Sequence, residues 1–273
     1  MKTLFLSVPT VNLWDTKLSS NTGELLRQAR AELFSLQDII DLGIAPSPLY
    51  HGLNGAADAS YVISQHISSL HLKRAHLTLA CEDESSILGA LHGLLHHHPD
   101  MLLLWVCPHA CATPPSRSIC GLAKSMSLAW LLGVSEGAPW WLKRFLTPRQ
   151  LVYLGTSVLT EYEQTLVAEL DISLFPAHPS EATHPLYSLA QEVQVRDPQK
   201  KRPVTLVYHP GILDPDAQNR LQEILTERNY VASILTGHDH ASWAEALAFV
   251  PARSEIPTEK SKGSVWSELR SLF

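Results

Sequence analysis

The side chains of this sequence that could do chemistry are thiols and imidazoles placed where apolar stretches end. Cys107, His109 and Cys111 stand at and just beyond the end of the apolar residues 101–108, and His209 lies near the end of another such stretch. Imidazoles and thiolates bind metal ions, and thiolates favour softer ions than manganese. These residue types would therefore allow metal binding or hydrolysis at a metal.

The elements that must position these residues are short apolar runs separated by helical segments. The runs lack alternation, which is typical of strands covered on both faces of a parallel sheet, and they span residues 3–9, 77–82, 101–108, 151–157, 172–176, 204–210 and 231–237. Helical periodicity covers residues 23–42, 56–70, 85–97, 122–132, 161–170 and 216–228. This alternation predicts a three-layer α/β/α sandwich with a mostly parallel, doubly wound sheet. Ligands of such folds bind at the carboxyl edge of the sheet, so we expect any small-molecule ligand there.

The bulk properties exclude several classes of protein. The chain has 273 residues, 45% of them hydrophobic, with a formal charge of −6 and a pI near 6.1, and no basic stripe indicates nucleic-acid binding. The sequence contains no stretch of about 18 apolar residues, so no membrane span is predicted. Four cysteines without a disulfide spacing favour a cytoplasmic protein with reduced thiols. We predict one domain over residues 1–250, followed by a surface segment and short helix at residues 251–273.

Two strand endings carry a family resemblance. The segment Leu103 to Cys111 resembles the ureohydrolase motif (arginase, agmatinase, formimidoylglutamase) in which an apolar strand ends in Asp-Ala-His-x-Asp. Here His109 survives, but Cys107 and Cys111 replace both aspartates. Upstream, residues 79–85 resemble the family's Gly-Gly-Asp-His-Ser turn, with Glu84 at the histidine.

Downstream blocks extend the resemblance in the same order. Residues 207–215 resemble the Ser-Phe-Asp-x-Asp-x-Leu-Asp-Pro strand and turn, with His209 and Gly211 in place of the metal-binding aspartates. Residues 126–133 are similar to the helix after His-Gly-Met-Pro, which puts Lys124 at the family's active-site histidine. The blocks cover residues 77–215, about half of the chain, and imply the arginase-like fold.

The resemblance does not extend to the family's activity. In relatives, carboxylate oxygens bridge two manganese ions, and a site that has lost these aspartates should not hold that pair. The loop that usually follows Leu-Asp-Pro is absent, because Asp214 or Asp216 caps a helix almost at once. No catalytic glutamate of the family can be placed. We therefore expect no di-manganese centre.

Two readings of the replaced residues stay open. In the first, no metal is bound, and Cys107 and Cys111 fill the space that the metals would occupy. In the second, the aligned ligand positions form a tetrahedral zinc set of Glu84, Cys107, Cys111 and His209. His109 and His238 or His240 would be supporting partners or alternates.

The resemblance leads to two functional hypotheses. One is a catalytically silent relative that acts by binding, as a homo-oligomer or beside a partner subunit. The other is a hydrolase of amidine or guanidino C–N bonds at a single zinc, with His109 and Lys124 as candidate catalytic residues. A deacetylase-like relative has weaker support, because no matching Tyr or His-His arrangement is found. Trp140 and Trp141 cannot both face one core from a helix, so one of them is expected to pack against a loop, a ligand or a partner subunit, with plain packing as the alternative to a contact role.

Overall fold

The computed structural model describes residues 2–8, 39–41, 52–70, 72, 75–81, 86–118, 125–143, 145–177, 185–236, 245–246 and 249. These residues contain eight strands: β1 Lys2–Val8, β2 Ile39–Asp41, β3 Ala75–Cys81, β4 Leu102–Val106, β5 Leu151–Leu154, β6 Ser173–Phe175, β7 Pro203–Tyr208 and β8 Asn229–Thr236. They also contain six α-helices: α1 Gly52–Ser69, α2 Ile87–His97, α3 Ser127–Leu131, α4 Glu161–Glu169, α5 Pro185–Arg196 and α6 Pro215–Thr226.

The eight strands form one sheet in the order β2-β1-β3-β8-β7-β4-β5-β6, and every neighbouring pair is parallel. The carboxyl ends of β3, β8, β7, β4 and β5 therefore meet at one edge. The register sets Val106 of β4 opposite Tyr208 of β7, and Cys81 of β3 opposite Thr236 of β8. The prediction of a mostly parallel, doubly wound α/β sheet is confirmed.

Strand β4 shows why its sequence is apolar without interruption. All five of its residues are buried. Leu103 and Trp105 enter the core on one face of the sheet, while Leu102, Leu104 and Val106 enter the core on the other. Because successive side chains of a strand point to opposite faces, only a strand covered on both sides needs such a run.

Helices on both faces complete the two cores. Apolar side chains of α1 to α4 line the first core, for example Ile63 of α1, and those of α5 and α6 line the second, for example Leu189 and Leu221. The tightest helix pair is α1 against α2, where Gly89 lies directly on the backbone carbonyl of Ser60. Among the described helices, none combines the length and the apolar character needed to span a bilayer.

The predicted elements differ from the observed ones in two places. A helix was expected over residues 23–42, but Ile39–Asp41 forms β2 at the edge of the sheet, so the end of that prediction is wrong. Parallel pairing with β1 decides the conformation there, which local periodicity does not reveal. Helix α5 is not among the predicted helices. The predicted surface segment and helix over residues 251–273 lie outside the described residues.

Candidate functional site

The two thiols that follow β4 are buried. Cys107 and Cys111 are 1% and 2% exposed and belong to the apolar core, whereas the side chain of His109 between them faces solvent. The backbone of the segment is fixed by side chains: the Thr156 hydroxyl donates to the carbonyl of Cys107 (2.8 Å), and the Trp105 indole donates to the carbonyl of His109 (2.8 Å). The segment therefore turns its sulfur atoms inward and its imidazole outward.

A buried carboxylate holds the end of this segment. Cys111 has a φ of +52°, a backbone conformation that residues other than glycine rarely adopt. The N–H of Ala112 donates to Oε1 of Glu163 (3.0 Å), and the N–H of Leu128 donates to the carbonyl of Cys111 (2.8 Å). These two bonds fix both sides of the peptide group that joins Cys111 to Ala112.

Glu163 was not among the candidate residues from sequence. Its Oε2 also accepts hydrogen bonds from the N–H and the hydroxyl of Thr160, both at 3.0 Å, as the third residue of a capping box on α4. The Thr-x-x-Glu spacing at Thr160 is the signal that would have found it. Its second role, in binding Ala112, is a tertiary contact without a sequence signal.

Tyr153 of β5 lies in the same buried region. Its hydroxyl donates to the carbonyl of Ala110 (3.0 Å), and its side chain is fully buried. Burial raises the pKa of Tyr153 well above its ordinary value, and negative charge on Cys111, Glu163 or Cys107 would raise this pKa further. Tyr153 is therefore a neutral hydrogen-bond donor to the segment that carries both thiols.

His209 continues β7 at the same edge of the sheet. Its N–H donates to the carbonyl of Val106 (2.9 Å), which ties the ends of β7 and β4 together. Its half-buried ring has Nδ1 at 2.9 Å from the carbonyl oxygen of Pro210, and since a carbonyl oxygen can only accept, Nδ1 carries the proton. In the neutral ring, Nε2 is then the nitrogen with a lone pair.

A carboxylate missed by sequence reasoning fixes the turn after His209. Oε1 of Glu245 accepts hydrogen bonds from the Tyr208 hydroxyl (2.6 Å), the N–H of Gly211 (2.9 Å) and the Gln218 amide (2.8 Å). Burial and then the neighbouring Glu245 carboxylate raise the pKa of Tyr208, so its phenol stays protonated. No spacing in the sequence links Glu245 to this turn.

The remainder of the turn matches the prediction. Asp214 is the N-cap of α6, and its carboxylate accepts the N–H of Ala217 (2.7 Å). The helix begins with Pro215, whose missing N–H would have had no helical partner. The expectation of a helix cap at Asp214 or Asp216 is confirmed for Asp214.

The structure describes only part of the predicted ligand set. Glu84, Lys124, His238 and His240 lie outside the described residues. Within the part of the chain that the structure describes, no three His, Cys, Asp or Glu side chains are grouped so that they could hold one metal ion. The thiols of Cys107 and Cys111 do not fit a pair of manganese ions, which require bridging carboxylate oxygens.

Comparison with solved structures decides the fold. An arginase of Entamoeba histolytica in complex with L-ornithine superposes with a TM-score of 0.72 at 13% identity, covering 91% of this chain and 98% of that one. The chain has the arginase fold. Formimidoylglutamase of Bacillus subtilis shares the arginase fold with a TM-score of 0.64 at 12% identity, over 91% of this chain and 86% of its own.

Sequence similarity to arginases is confined to part of the chain. The mitochondrial arginase-2 of Rattus norvegicus is 26% identical over 139 residues, which are 49% of this chain and 39% of that protein. The arginase of Glaciozyma antarctica is 26% identical over 156 residues, 53% of this chain and 44% of its own length. This chain therefore spans less than half the length of these arginases. No family profile matches it.

Proposed function

We propose that this arginase-fold protein does not hydrolyse guanidino compounds and acts by binding, as a subunit of an oligomer. The observation that carries the proposal is the burial of Cys107 and Cys111 at the two positions that resemble metal-binding aspartates of ureohydrolases. Buried thiols packed in an apolar core supply no bridging oxygen for manganese. His209 and Gly211 replace the other two aspartates, and the Gly211 N–H is a donor, bonded to Glu245.

The surface available for binding includes an exposed aromatic side chain. Trp140 is 71% exposed, and its ring centroid lies 5.3 Å from that of Tyr61. Trp141 is 4% exposed and packs edge-on against His92, with the ring centroids 5.2 Å apart. The two tryptophans thus divide as expected, one inward and one outward. Tryptophan side chains are enriched where proteins meet, so we propose that Trp140 contacts a second copy of this chain.

Two measurements test this proposal. Arginase, agmatinase and formimidoylglutamase assays, each with added manganese or zinc, should show no turnover above the buffer rate. Light scattering should show an oligomer whose dissociation is promoted by Trp140→Ser and not by Tyr187→Ser, another exposed aromatic residue (63% exposed) remote in sequence. Turnover that requires His109 would overturn the first part, and a monomeric wild-type protein would overturn the second.

A single-zinc hydrolase of amidine or guanidino C–N bonds is the second candidate. It is favoured by one observation: Cys107 and Cys111 are buried in the same core, and the Tyr153 hydroxyl donates to the carbonyl of Ala110, which lies between them in the chain. Zinc is the ion that two thiolates would favour. Metal analysis after growth with zinc tests this candidate, since less than about one-tenth of an equivalent would exclude a zinc site. One equivalent that is lost in Cys107→Ser would support it.

A further inference from the structure

A tight turn presents Trp140 to solvent. The N–H of Leu142 donates to the carbonyl of Pro139 (3.0 Å), so Trp140 and Trp141 are the two central residues of a β-turn. Trp141 and Leu142 are 4% and 5% exposed, whereas Trp140 is 71% exposed. The second half of the turn is therefore anchored in the protein, while the Trp140 side chain stands outside it.

A buried imidazole of α2 contacts this turn in two ways. His92 is 8% exposed, and its Nε2 accepts a hydrogen bond from the N–H of Lys143 (3.2 Å), the residue that follows the turn. The Trp141 ring packs edge-on against the same imidazole, at an interplanar angle of 71°. His92 therefore binds the main chain after the turn and packs against a side chain within it.

The two hydrogen bonds of His92 assign a role to each ring nitrogen. Because a backbone N–H can only donate, Nε2 accepts from Lys143 and carries no proton. The proton is therefore on Nδ1, which donates to the hydroxyl of Ser64 on α1 (2.7 Å). Ser64 is fully buried. One nitrogen thus fixes the ring to α1, and the other fixes the turn to the ring.

Tyr61 of α1 supports the exposed tryptophan. Its ring centroid lies 5.3 Å from that of Trp140 and 5.9 Å from that of Trp141. A shift of the backbone at Lys143 would move the whole turn, and would therefore change how both tryptophans pack against Tyr61. The orientation of Trp140 thus depends on the hydrogen bond that His92 accepts.

We propose that His92 is a positioning residue for the contact of Trp140 with a second copy of this chain, and that it acts through the N–H of Lys143. This inference rests on the proposed function. A side chain that is already held in one orientation loses less conformational freedom on association, so a fixed turn strengthens the contact. His92 itself is buried under the turn and acts on the partner only through it.

Two substitutions separate the two hydrogen bonds of His92. In His92→Asn the amide nitrogen takes the position of Nδ1 and still donates to Ser64, but the N–H of Lys143 loses its acceptor. In His92→Gln the amide oxygen reaches the position of Nε2 and still accepts from Lys143, but the bond to Ser64 is lost. Each variant keeps one bond, so a purely structural role of His92 predicts similar effects of both.

Amide exchange and self-association of the full chain test the proposal. In His92→Asn, deuterium exchange at the N–H of Lys143, followed by mass spectrometry, should be roughly tenfold faster than in the wild type. The dissociation constant for self-association, measured by sedimentation, should rise roughly tenfold. His92→Gln should change both quantities less than about twofold. Lys143→Ala, which keeps the N–H and removes an exposed side chain, is the control and should change neither.

The proposal is overturned if both His92 variants have equal effects, or if His92→Asn speeds exchange at Lys143 without weakening self-association. A monomeric wild-type protein in which exchange at Lys143 still depends on His92 would overturn the proposed function and not the positioning of the turn. Should His92→Asn fail to fold, the wild type supplies the test. Its Lys143 N–H should exchange roughly tenfold more slowly than the N–H of the exposed Glu136, and equal exchange would overturn the proposal.

Discussion

The carboxylate of Glu163 and the N–H of Ala112 form a hydrogen bond of 3.0 Å that joins the first turn of α4 to the segment after β4. The segment contains Cys107, His109 and Cys111, the residues at which the resemblance to the manganese-binding motif is centred. One buried side chain therefore stabilises both a helix start and the backbone that carries the replaced ligands. A change at Glu163 should affect both.

Replacing Glu163 by alanine should lower the free energy of unfolding by about 3 kcal/mol, because three hydrogen bonds are lost and the N–H of Ala112 stays buried. Urea denaturation followed by circular dichroism measures this change. Glu161→Ala, in the same turn of α4 but exposed, is the control and should change stability little. Equal effects of the two substitutions would contradict the role given to Glu163.

A buried histidine should make stability depend on pH. Burial lowers the pKa of His76 from 6.5 to about 4, and Nε2 of its ring lies 2.8 Å from the Ser233 hydroxyl. The unfolded chain takes up this proton below pH 6.5, while the folded protein takes it up only near pH 4. Stability from neutral His76 is therefore complete above pH 6.5 and is lost as the pH falls from 6.5 to 4, by ~3 kcal/mol in all.

Urea unfolding at several pH values between 4 and 7.5 checks this prediction. His76→Asn has no titrating ring at this position, so the difference in stability between the wild type and the variant should shrink as the pH falls through this range. A difference that stays constant with pH would show that His76 does not contribute in this way.

The ion pair of Arg228 and Asp197 should stabilise the fold far more than that of Lys200 and Glu227. The side chains of the first pair are 5% and 3% exposed, and those of the second are 43% and 65% exposed. Arg228→Ala leaves the Asp197 carboxylate buried without its cation and should lower the free energy of unfolding by about 3 kcal/mol. Lys200→Ala should change it little, because exposed pairs are screened by solvent. Thermal and urea unfolding of both variants measure these changes. A larger loss of stability in Lys200→Ala than in Arg228→Ala would contradict the prediction.

The contact of α1 with α2 should not tolerate a methyl group at Gly89. A Cβ there would overlap the backbone carbonyl of Ser60, which cannot move without shifting α1, so Gly89→Ala should cost roughly 3 kcal/mol. Gly93→Ala would meet the Cβ of Ile67 at 2.7 Å and the Ser64 carbonyl oxygen at 3.0 Å and should cost less, because these distances exceed the 2.1 Å to the Ser60 carbonyl oxygen at Gly89. Calorimetry of the two variants should give a lower melting temperature for Gly89→Ala. The opposite order would show that the helices separate easily.

The central part of the sheet could be predicted from the sequence because strands such as β4, β5 and β7 are buried on both faces. Seven of the eight described strands, β2 being the exception, overlap the near-continuous apolar runs, such as Leu102–Val106 of β4. Two elements were not predicted, because their conformation depends on distant neighbours. Ile39–Asp41 becomes a strand by pairing with β1, and α5 has only a weak apolar stripe, in which Leu189 and Val193 meet the core.

The side-chain arrangement at the carboxyl edge could be predicted only in part. The sequence indicates that Cys107 and Cys111 follow a buried strand, but the left-handed backbone of Cys111 depends on Glu163, 52 residues further along the chain. Glu245 and Tyr208, which fix the turn after His209, likewise meet only through the tertiary fold. The sequence showed which residue types stand at the edge, and the fold determines which of them face inward.

The manganese content of the purified protein shows whether this chain can form a di-manganese centre. The chain should be expressed with excess manganese, dialysed against metal-free buffer and analysed by mass spectrometry of the elements. Thiols in place of bridging carboxylates predict less than about 0.1 manganese per chain. A content close to two manganese ions per chain would contradict the account, because it would show that other groups complete the centre that Cys107 and Cys111 cannot.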